Sequence, residues 1–558
     1  MKKYILQFWK QNLFLILLIV VSTLSQTINV VLAANALTAL VKFDLRGFVQ
    51  WYLVSIALWG LYLVLTYLQI VYQERLIQTT ATAIRSDLGE AISKLNYAGF
   101  HQNNNQNYAA WMTNDIGLIE NTGLYNLYSL VQVFFAALFS AIALISYHYT
   151  LVLTAFVFAA IIIYVPNLLT KAVAEKTANV SNQNSALLTT ITDVVNAFDT
   201  LFSANRLPLI HSRITTASRV YGDSKVAVAK AQGRVAVLAG AVNVIAQLGI
   251  AIETGVLIAM KWLPIGAISA TGGLASTIFN SLGTFSNSWV TVRSIQPIFD
   301  KFQTLIDLAD DQAQEDGVKN QQPTPGTLKL AHINYWYGER EVLRDLSVNF
   351  NLNGKYALVG PSGSGKSTLL EILDGRLTPA KGEYTIGESR VSALSSKALH
   401  DMLIYIDQTP HLFNDTLRFN LTLGRSVEQA ELDRVLSQVG LDELLKKLPD
   451  GLETVLDTDG TDLSGGERQR IALARGTFAK VQIMLLDEST SALDKQSNAA
   501  IEKVLLELPN TTVILVTHHL TDELAGHLDQ VFDIEHLNGP LPELDVPLHF
   551  SVMPAPSI

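Results

Sequence analysis

Residues 463–470 read Leu-Ser-Gly-Gly-Glu-Arg-Gln-Arg, and two other distinctive segments flank this stretch. A glycine-rich loop precedes it, with the sequence Gly-Pro-Ser-Gly-Ser-Gly-Lys-Ser at 360–367. An apolar run follows it at 483–486 and ends in Asp487 and Glu488. Loops of this glycine-lysine-serine pattern bind phosphate groups. Since short β-rich runs alternate with helical patterns around these segments, we predict an α/β domain with a phosphate-binding loop.

The residues of the phosphate loop have separate chemical roles. The glycines let backbone N–H groups approach the phosphates, and the helix after the loop points its positive end at them. Lys366 would pair with the β- and γ-phosphates, and the Ser367 hydroxyl would bind Mg²⁺. ATP and Mg²⁺ are therefore the predicted cofactors. The predicted nucleotide-binding residues of this loop are Gly360, Pro361, Ser362, Gly363, Ser364, Gly365, Lys366, Ser367 and Thr368.

Two adjacent acids end the apolar strand. Asp487 can hold Mg²⁺ through water, and Glu488 would polarise the attacking water as a general base. Paired acids after a strand also serve as helix N-terminal caps. The presence of the other motifs favours the catalytic interpretation.

Composition narrows the class of protein. A chain of 558 residues should hold more than one domain. Its charged fraction of 16% is low for a soluble protein, and its net charge of −10 argues against a nucleic-acid partner. The absence of cysteine excludes disulfides, thiolate metal sites and cysteine nucleophiles.

The N-terminal half contains six apolar runs, each long enough for a membrane span of ~20 residues. The first follows Lys10 without a small-residue cleavage site, so we interpret it as a retained membrane helix. The last is rich in glycine, serine and threonine. The predicted spans are 13–37, 52–71, 127–147, 151–169, 235–260 and 265–290.

Basic residues predict the orientation of these spans. Lys2, Lys3 and Lys10 place the N-terminus in the cytoplasm. The long segments 72–126 and 170–234 then lie on the cytoplasmic side with the ATPase domain. The predicted location is a cell membrane, crossed several times, with the lipid bilayer as a partner. The lack of cysteine and the simple domain plan favour a bacterial source.

Glu253 is the clearest ionisable residue within the spans. A carboxylate at membrane depth is costly unless it faces a partner or a water-filled cavity. It either lines a transport pathway, favouring a cationic or hydrogen-bonding substrate, or pairs with an amide or lies near the outer interface. Gln247 and Asn243 are weaker pathway candidates, because amides often only join helices.

Four regions follow from these patterns. The membrane domain covers 1–305, and a polar linker covers 306–326, ending in Pro-Thr-Pro-Gly. The ATPase domain covers 327–537. The proline-rich tail at 538–558 is given no activity.

The combined motifs resemble the ATP-binding cassette (ABC) transporter family, and the topology resembles its exporter-fold half-transporters. In that family Ser464, Gly465, Gly466 and Glu467 belong to the signature segment that reaches ATP held by the opposite subunit. A single copy therefore implies a second half-transporter. Since every motif is intact, an identical chain is favoured over a different half.

Further residue roles rest on the same resemblance. Gln408 looks like the glutamine that senses Mg²⁺, and Asp494 belongs to a loop that crosses the dimer interface. His518 looks like the switch histidine, although His519 stands beside it. Tyr337 looks like the aromatic that stacks on adenine, with Tyr335 and Trp336 as neighbouring alternatives.

The long cytoplasmic segments resemble extensions tipped by coupling helices, which we place at 105–115 and 195–206. The alternative is that these two segments are solvated loops without a coupling role. Exporters of this family often carry Glu-Gly shortly before the signature, and here Asp459-Gly460 stands nearby instead. This departure weakens the resemblance to drug and lipid exporters and leaves the ATPase chemistry untouched.

The resemblance implies ATP-driven transport by alternating access in a dimer. Export of a small amphipathic molecule, lipid or peptide is the favoured function. Import of a hydrophilic nutrient such as a vitamin or peptide by the same fold is the alternative. A soluble ABC ATPase is disfavoured by the six apolar spans, and substrate-stimulated turnover would distinguish a transporter from a channel or receptor. The sequence does not specify the substrate.

Overall fold

The structure is a computed structural model. It describes residues 1–103, 105–167, 170–319, 321–456, 463–487, 505–506, 508–517, 520 and 522–538. Glu488, Asp494, His518 and the segment containing Asp459-Gly460 lie outside the described residues, as does most of the predicted tail.

The described chain forms two compact units. The helical unit comprises Met1–Glu90 and Asn104–Ile306. The α/β unit comprises Ala91–Asn103 and the described residues from Asp307 onward. The short segment Ala91–Asn103 therefore belongs to the α/β unit, although helices of the other unit precede and follow it in sequence.

Helices account for nearly all of the described chain before residue 319. Two π-helical stretches, Trp111–Asp115 and Ile119–Leu124, flank α6. The helices are α1 (Lys2–Gln7), α2 (Trp9–Val41), α3 (Leu45–Lys94), α4 (Tyr97–His101), α5 (Asn105–Ala110), α6 (Ile116–Leu118), α7 (Tyr125–Tyr147), α8 (Tyr149–Asn167), α9 (Thr170–Asn196), α10 (Phe198–Ser203), α11 (Pro208–Ala259), α12 (Ala267–Ser294) and α13 (Gln296–Val318).

Within the described residues, four helical stretches are long and apolar enough to cross a membrane: Trp9–Val41, Leu45–Lys94, Asn107–Tyr147 and Pro208–Ala259. The apolar helix at Tyr149–Ile162 is shorter. Helix α12 does not reach this hydropathy because glycine, serine and threonine interrupt its apolar residues. Six helices overlap the six predicted spans, and α8 and α12 are the two that are not among these four stretches.

Apolar packing holds the helical unit together. Helix α12 packs against α2, α7, α8 and α11, and the buried side chains at this contact include Leu144, Ile250 and Phe279. Polar side chains among them pair with one another: the Thr254 hydroxyl donates to Thr271 Oγ1 at 3.0 Å. Such pairs matter because lipid offers no substitute hydrogen-bonding partner.

Helix α13 extends into the predicted linker. Helix α13 continues to Val318, so much of the predicted linker at 306–326 is helical. Its apolar residues Phe302, Leu305 and Ala309 are buried and recur at helical spacing, which overrides the polar composition around them. After α3 the chain turns at Leu95 and Asn96 and then forms α4. A coupling role for 105–115 stays a prediction.

The second predicted coupling segment, 195–206, contains the short helix α10. It lies between α9 and α11 in the helical unit. The exposed rings of Phe198 and Phe202 stack on one face of this helix, with centroids 6.2 Å apart. A coupling role for α10 stays a prediction.

Two sheets form the α/β unit. The antiparallel sheet has the order β2-β1-β4-β5, and the parallel sheet has the order β6-β7-β8-β3-β9. The strands are β1 (Leu328–Tyr337), β2 (Arg340–Phe350), β3 (Lys355–Val359), β4 (Lys381–Ile386), β5 (Ser389–Arg390), β6 (Leu403–Ile406), β7 (Ile483–Leu486), β8 (Thr512–Val516) and β9 (Gln530–Asp533).

Helices cover the parallel sheet. Every residue of β7 and β8 is buried, which is the pattern expected of strands packed on both faces. The remaining helices are α14 (Lys366–Leu373), α15 (Ser396–His400), α16 (Leu417–Thr422), α17 (Gln429–Gln438), α18 (Asp442–Lys447), α19 (Gly465–Ala479), α20 (Asp522–Ala525) and α21 (Ile534–Leu537).

Arg475 ties α19 to the chain after β6. Its guanidinium donates to the Asn420 carbonyl at 2.5 Å, to Asn420 Oδ1 at 3.0 Å and to the His411 carbonyl at 2.7 Å. Burial lowers the pKa of Arg475. The fully buried Asn420 amide in turn donates to the Phe413 carbonyl at 2.9 Å. One side chain thus satisfies several acceptors that water reaches poorly.

We expect Arg475→Gln to destabilise the α/β unit by roughly 2–4 kcal/mol, because it leaves buried acceptors without donors. The purified chain in detergent should melt roughly 4–12 °C lower in a thermal scan. Arg434→Gln is the matched control, since Arg434 lies 3.9 Å from Glu431 with its side chain 65% exposed. An equal shift in both variants would contradict the role given to Arg475.

Candidate functional site

The parallel sheet brings distant sequence segments to one edge. Strand β3 leads into the phosphate loop, and β7 leads into Asp487. Both strands pair with β8 in parallel, so their carboxyl ends lie at the same edge. There the Ser367 hydroxyl donates to Asp487 Oδ1 at 3.2 Å, across 120 positions of sequence. This pairing joins the two predicted halves of a nucleotide site.

The conformation of the phosphate loop depends on glycine. Gly360, Gly363 and Gly365 all have positive φ angles. At Gly365, with φ of 100°, an added Cβ would lie 2.7 Å from Leu343 Cδ2. Backbone conformation and space therefore both require glycine at this position.

Lys366 is the first residue of α14 and is buried. Its ammonium donates to the carbonyls of Gly360 at 2.9 Å and Pro361 at 2.8 Å. The loop thus holds the cation over its own backbone, beside the N-terminus of an eight-residue helix. A positive side chain and a helix N-terminus aimed at one place suit an anion.

The oxygen atoms at this edge fit Mg²⁺. Ser367 and Asp487 supply a hydroxyl and a carboxylate, the hard oxygen donors that Mg²⁺ prefers. The second carboxylate oxygen of Asp487 accepts a hydrogen bond from the Tyr405 hydroxyl at 2.9 Å. Burial, and then the charge of Asp487, raise the pKa of Tyr405 well above its usual range, so the phenol stays protonated and donates.

Tyr337 lies at the end of β1 beside the phosphate loop. It lines a cavity of about 250 Å³ together with Arg340, Val342 and loop residues including Lys366 and Thr368. Its ring is 48% exposed, and its hydroxyl donates to Glu371 Oε2 at 3.2 Å. Tyr335 instead packs against the buried core. Tyr337 is therefore better placed than Tyr335 for contact with a bound base.

Gln408 follows β6, the strand next to β7, and is exposed. The Asp487 N–H donates to the Ile406 carbonyl at 3.1 Å, so the chain leaves both strands at the same edge. Gln408 is thus near the predicted metal-binding edge. Its role as a metal ligand stays a prediction.

Helix α19 begins within the segment 463–470. Ser464 caps the helix: its side chain accepts from the Glu467 N–H, and the Glu467 carboxylate accepts from the Ser464 N–H at 2.8 Å. Helix α19 packs on β6, which is three strands from β3. At a strand spacing of about 4.8 Å, roughly 14 Å separates the two positions along the sheet.

The candidate pathway residues lie on α11 in the helical unit. Gln247 donates to Asn243 Oδ1 at 2.9 Å, and Asn243 donates to Asn280 Oδ1 of α12 at 3.0 Å. The bond between Asn243 and Asn280 therefore joins α11 to α12, and Asn243 is half-buried. Within the described residues, Glu253 Oε2 is buried without a hydrogen-bond partner, which is unusual for a carboxylate at this depth.

Sequence reasoning overlooked two residues of the site. These residues are Tyr405 and Arg376. Tyr405 donates a hydrogen bond to Asp487, and Arg376 lies over the Tyr405 ring. No local motif marks them, because their partners are distant in sequence. Glu488, Asp494 and His518 belong to the predicted site but lie outside the described residues.

Known proteins resemble both units. The family model "ABC transporter transmembrane region" matches residues 12–282, and the model "ABC transporter" matches residues 343–491. A solved structure of a bacterial Atm1-family ABC exporter with ATP bound has a TM-score of 0.76, covering 94% of this chain and 93% of that one. At 21% identity this similarity shows the fold. The predicted order of a helical membrane domain and an α/β ATPase domain is confirmed.

Curated relatives match parts of the chain. The transport/processing ATP-binding protein ComA of Streptococcus pneumoniae is 28% identical over 61% of this chain and 47% of its own length. An ATP-dependent lipid A-core flippase of Photobacterium profundum is 33% identical over 42% and 40%. The mycobactin import ATP-binding/permease protein IrtB of Mycolicibacterium thermoresistibile is 37% identical over 38% and 36%. The chain thus matches less than half the length of each.

We expect Gly365→Ala to weaken binding of a fluorescent ATP analogue by at least about 10-fold, since the methyl group meets Leu343 and the residue keeps a strained φ. Gly451→Ala is the control: it has a φ of 56° and nothing within 4 Å of an added Cβ. The titration is done on the full chain in nanodiscs. Equal loss in both variants would show general backbone strain and would contradict a specific role for the loop.

Proposed function

The chain belongs to the ABC transporter family, with its membrane region and ATPase domain fused, and we propose that it is an ATP-driven exporter working as a dimer. The observation that carries this proposal is the pairing of Ser367 with Asp487 beside Lys366, in a chain whose other unit contains long apolar helices. Nucleotide chemistry and membrane crossing are thus joined in one polypeptide.

The protein side chains divide the ATPase work. Lys366 and the loop N–H groups hold the phosphates, and Tyr337 contacts the base. Ser367 and Asp487, with Gln408 nearby, would hold Mg²⁺, which would neutralise phosphate charge. Glu488 activates water, and His518 contacts the γ-phosphate; both roles rest on the family motifs.

The dimer follows from the position of the signature segment. Ser464 and Gly466 begin a helix whose N-terminus suits an anion, yet this helix packs three strands from the loop of its own chain. A second chain, turned to face the first, would bring each signature segment to the other's phosphate loop. Such mutual contact is the usual geometry of a two-fold dimer.

Coupling between ATP and transport requires differential affinity. ATP binds at the interface only when the two ATPase domains are closed, so it favours that state over the open one. Hydrolysis removes the preference and returns the dimer to the open state. If the closed state opens the pathway outward, substrate is exported.

Import is the second candidate. It is supported by the similarity to IrtB, a protein named for mycobactin import. The flippase relative and the exporter structure favour the opposite direction. In either case Glu253, with its partnerless oxygen, is the residue through which a cationic or hydrogen-bonding substrate would be recognised.

Two inactive variants should complement each other. Lys366→Met removes the phosphate-binding charge, and Gly466→Asp places a negative charge where the partner's γ-phosphate would lie. Each variant alone should lack ATPase activity in nanodiscs. Co-expression should restore roughly a quarter of the unaltered rate, because half of the random dimers hold one intact composite site.

The control for complementation uses a doubly substituted chain that carries both Glu488→Gln and Gly466→Asp. Co-expressing that chain with Lys366→Met leaves every composite site defective, so it should restore nothing. No hydrolysis by the unaltered chain, despite ATP binding, would overturn the homodimer and point to a different partner half. Hydrolysis with no complementation would overturn the shared site.

Direction and substrate are tested together in inside-out and right-side-out vesicles with lipids, drugs, peptides and vitamins. Export predicts ATP-dependent accumulation inside inside-out vesicles. We expect Glu253→Gln to weaken stimulation of the ATPase by a cationic substrate about 10-fold or more, since the buried charge is its partner. Unchanged stimulation, or loss of basal ATPase activity as well, would contradict that role.

A further inference from the structure

A series of side-chain contacts within the α/β unit runs from the segment Ala91–Asn103 to Asp487. We propose that Arg376 and Tyr405 are positioning residues for this Mg²⁺-binding carboxylate, and that Tyr97 fixes Arg376. This role rests on the proposed function, since it concerns Mg²⁺ and ATP at the same site. It connects the chain between two long helices to the orientation of a single metal ligand.

The first contact fixes the carboxylate. Each oxygen of Asp487 has its own partner: Ser367 Oγ at 3.2 Å from Oδ1 and the Tyr405 hydroxyl at 2.9 Å from Oδ2. Outer partners of this kind orient metal ligands and affect metal affinity.

The second contact fixes Tyr405. The guanidinium carbon of Arg376 lies 4.0 Å from the centre of the Tyr405 ring, which is close enough for a strong cation–π interaction. Arg376 Nη1 also donates to Asp407 Oδ1 at 3.1 Å. Arg376 therefore contacts residues on both sides of Ile406, at the end of β6 just before Gln408.

Carboxylates hold Arg376 in this position. Its Nε donates at 2.8 Å to Asp374, whose side chain is only 4% exposed. His400 Nε2 lies 3.5 Å from the other Asp374 oxygen. The nearby Asp374 carboxylate raises the pKa of His400. A cavity of about 230 Å³ lined by Arg376, His400, Tyr405 and Arg425 leaves room for the guanidinium to move.

The third contact covers Arg376 from the opposite segment. The centre of the Tyr97 ring lies 5.3 Å from the guanidinium carbon. The ring is held in place because Asn96 caps α4, accepting from Gly99 at 2.7 Å, and its N–H donates to Gln312 at 2.9 Å. Lys94 and Asp310 form an ion pair at 3.0 Å beside them. Tyr97 thus belongs to a segment anchored at several points.

These contacts allow a movement of the segment carrying Tyr97 to change the position of the Asp487 carboxylate without changing its charge. When the segment carrying Tyr97 shifts, Arg376 loses one ring and can move into the adjoining cavity. Tyr405 then loses its stacking partner, and Asp487 loses a fixed donor. Mg²⁺ affinity falls while the phosphate loop, which binds ATP without these residues, is unchanged.

The test compares ATP affinity with and without Mg²⁺. A fluorescent ATP analogue is titrated against the full chain in nanodiscs, in EDTA and in excess Mg²⁺, with Glu488→Gln present to prevent hydrolysis. We expect Tyr405→Phe to leave the Kd in EDTA within about twofold and to raise the Kd in Mg²⁺ about 10-fold. Tyr97→Ala and Arg376→Lys should show a smaller rise, again only in Mg²⁺.

Phenylalanine variants provide the sharpest comparison. Tyr97→Phe keeps the ring and should behave as the parent, whereas Tyr405→Phe removes the essential hydroxyl. Tyr384→Phe is the structural control, because its buried hydroxyl donates to the Leu373 carbonyl at 3.0 Å outside this series. Equal weakening by Tyr405→Phe in EDTA and Mg²⁺, or the same Mg²⁺-specific loss in Tyr384→Phe, would overturn the proposal. If the parent chain has the same ATP Kd in EDTA and in Mg²⁺, the proposed function itself is overturned.

Discussion

Parallel pairing of β3, β8 and β7 is the constraint on which the nucleotide site depends. Because parallel strands end at a common edge, the loop after β3 and the acid after β7 meet there. The strands β7 and β8 are buried on both faces, and the observed register places Leu358 beside Val516 and Leu486 beside Leu515. The Ser367–Asp487 hydrogen bond is a consequence of that register.

Buried polar groups then fix the segments around the sheet. Arg475 satisfies acceptors in the chain after β6, and the Ser464–Glu467 capping box sets where α19 begins. Each of these interactions fixes one end of a segment that borders the proposed nucleotide site. In the helical unit, polar side chains pair across helices for the same reason, and Glu253 is notable because one oxygen departs from that rule.

The lateral position of α19 has a further effect. Three strand spacings separate it from the phosphate loop, so one chain presents an anion-binding helix end with no anion of its own beside it. In the proposed dimer, the phosphates bound by the partner chain would lie beside this helix end. The segment Ala91–Asn103 contacts the α/β unit near Arg376. The partner chain and this segment would thus act on the site through different contacts.

The sequence by itself determined the elements whose geometry is local. The phosphate loop, the signature helix start and the apolar helices are each specified by neighbouring residues, through glycine conformations, capping and hydropathy. Although 306–326 is polar, α13 continues into it as far as Val318, and Phe302, Leu305 and Ala309 are buried along this helix. Only the tertiary structure decided that Tyr405 meets Asp487, 82 positions away, and that Arg376 lies between Tyr405 and Tyr97. Such contacts depend on strand order and packing, which leave no periodic signal in the chain.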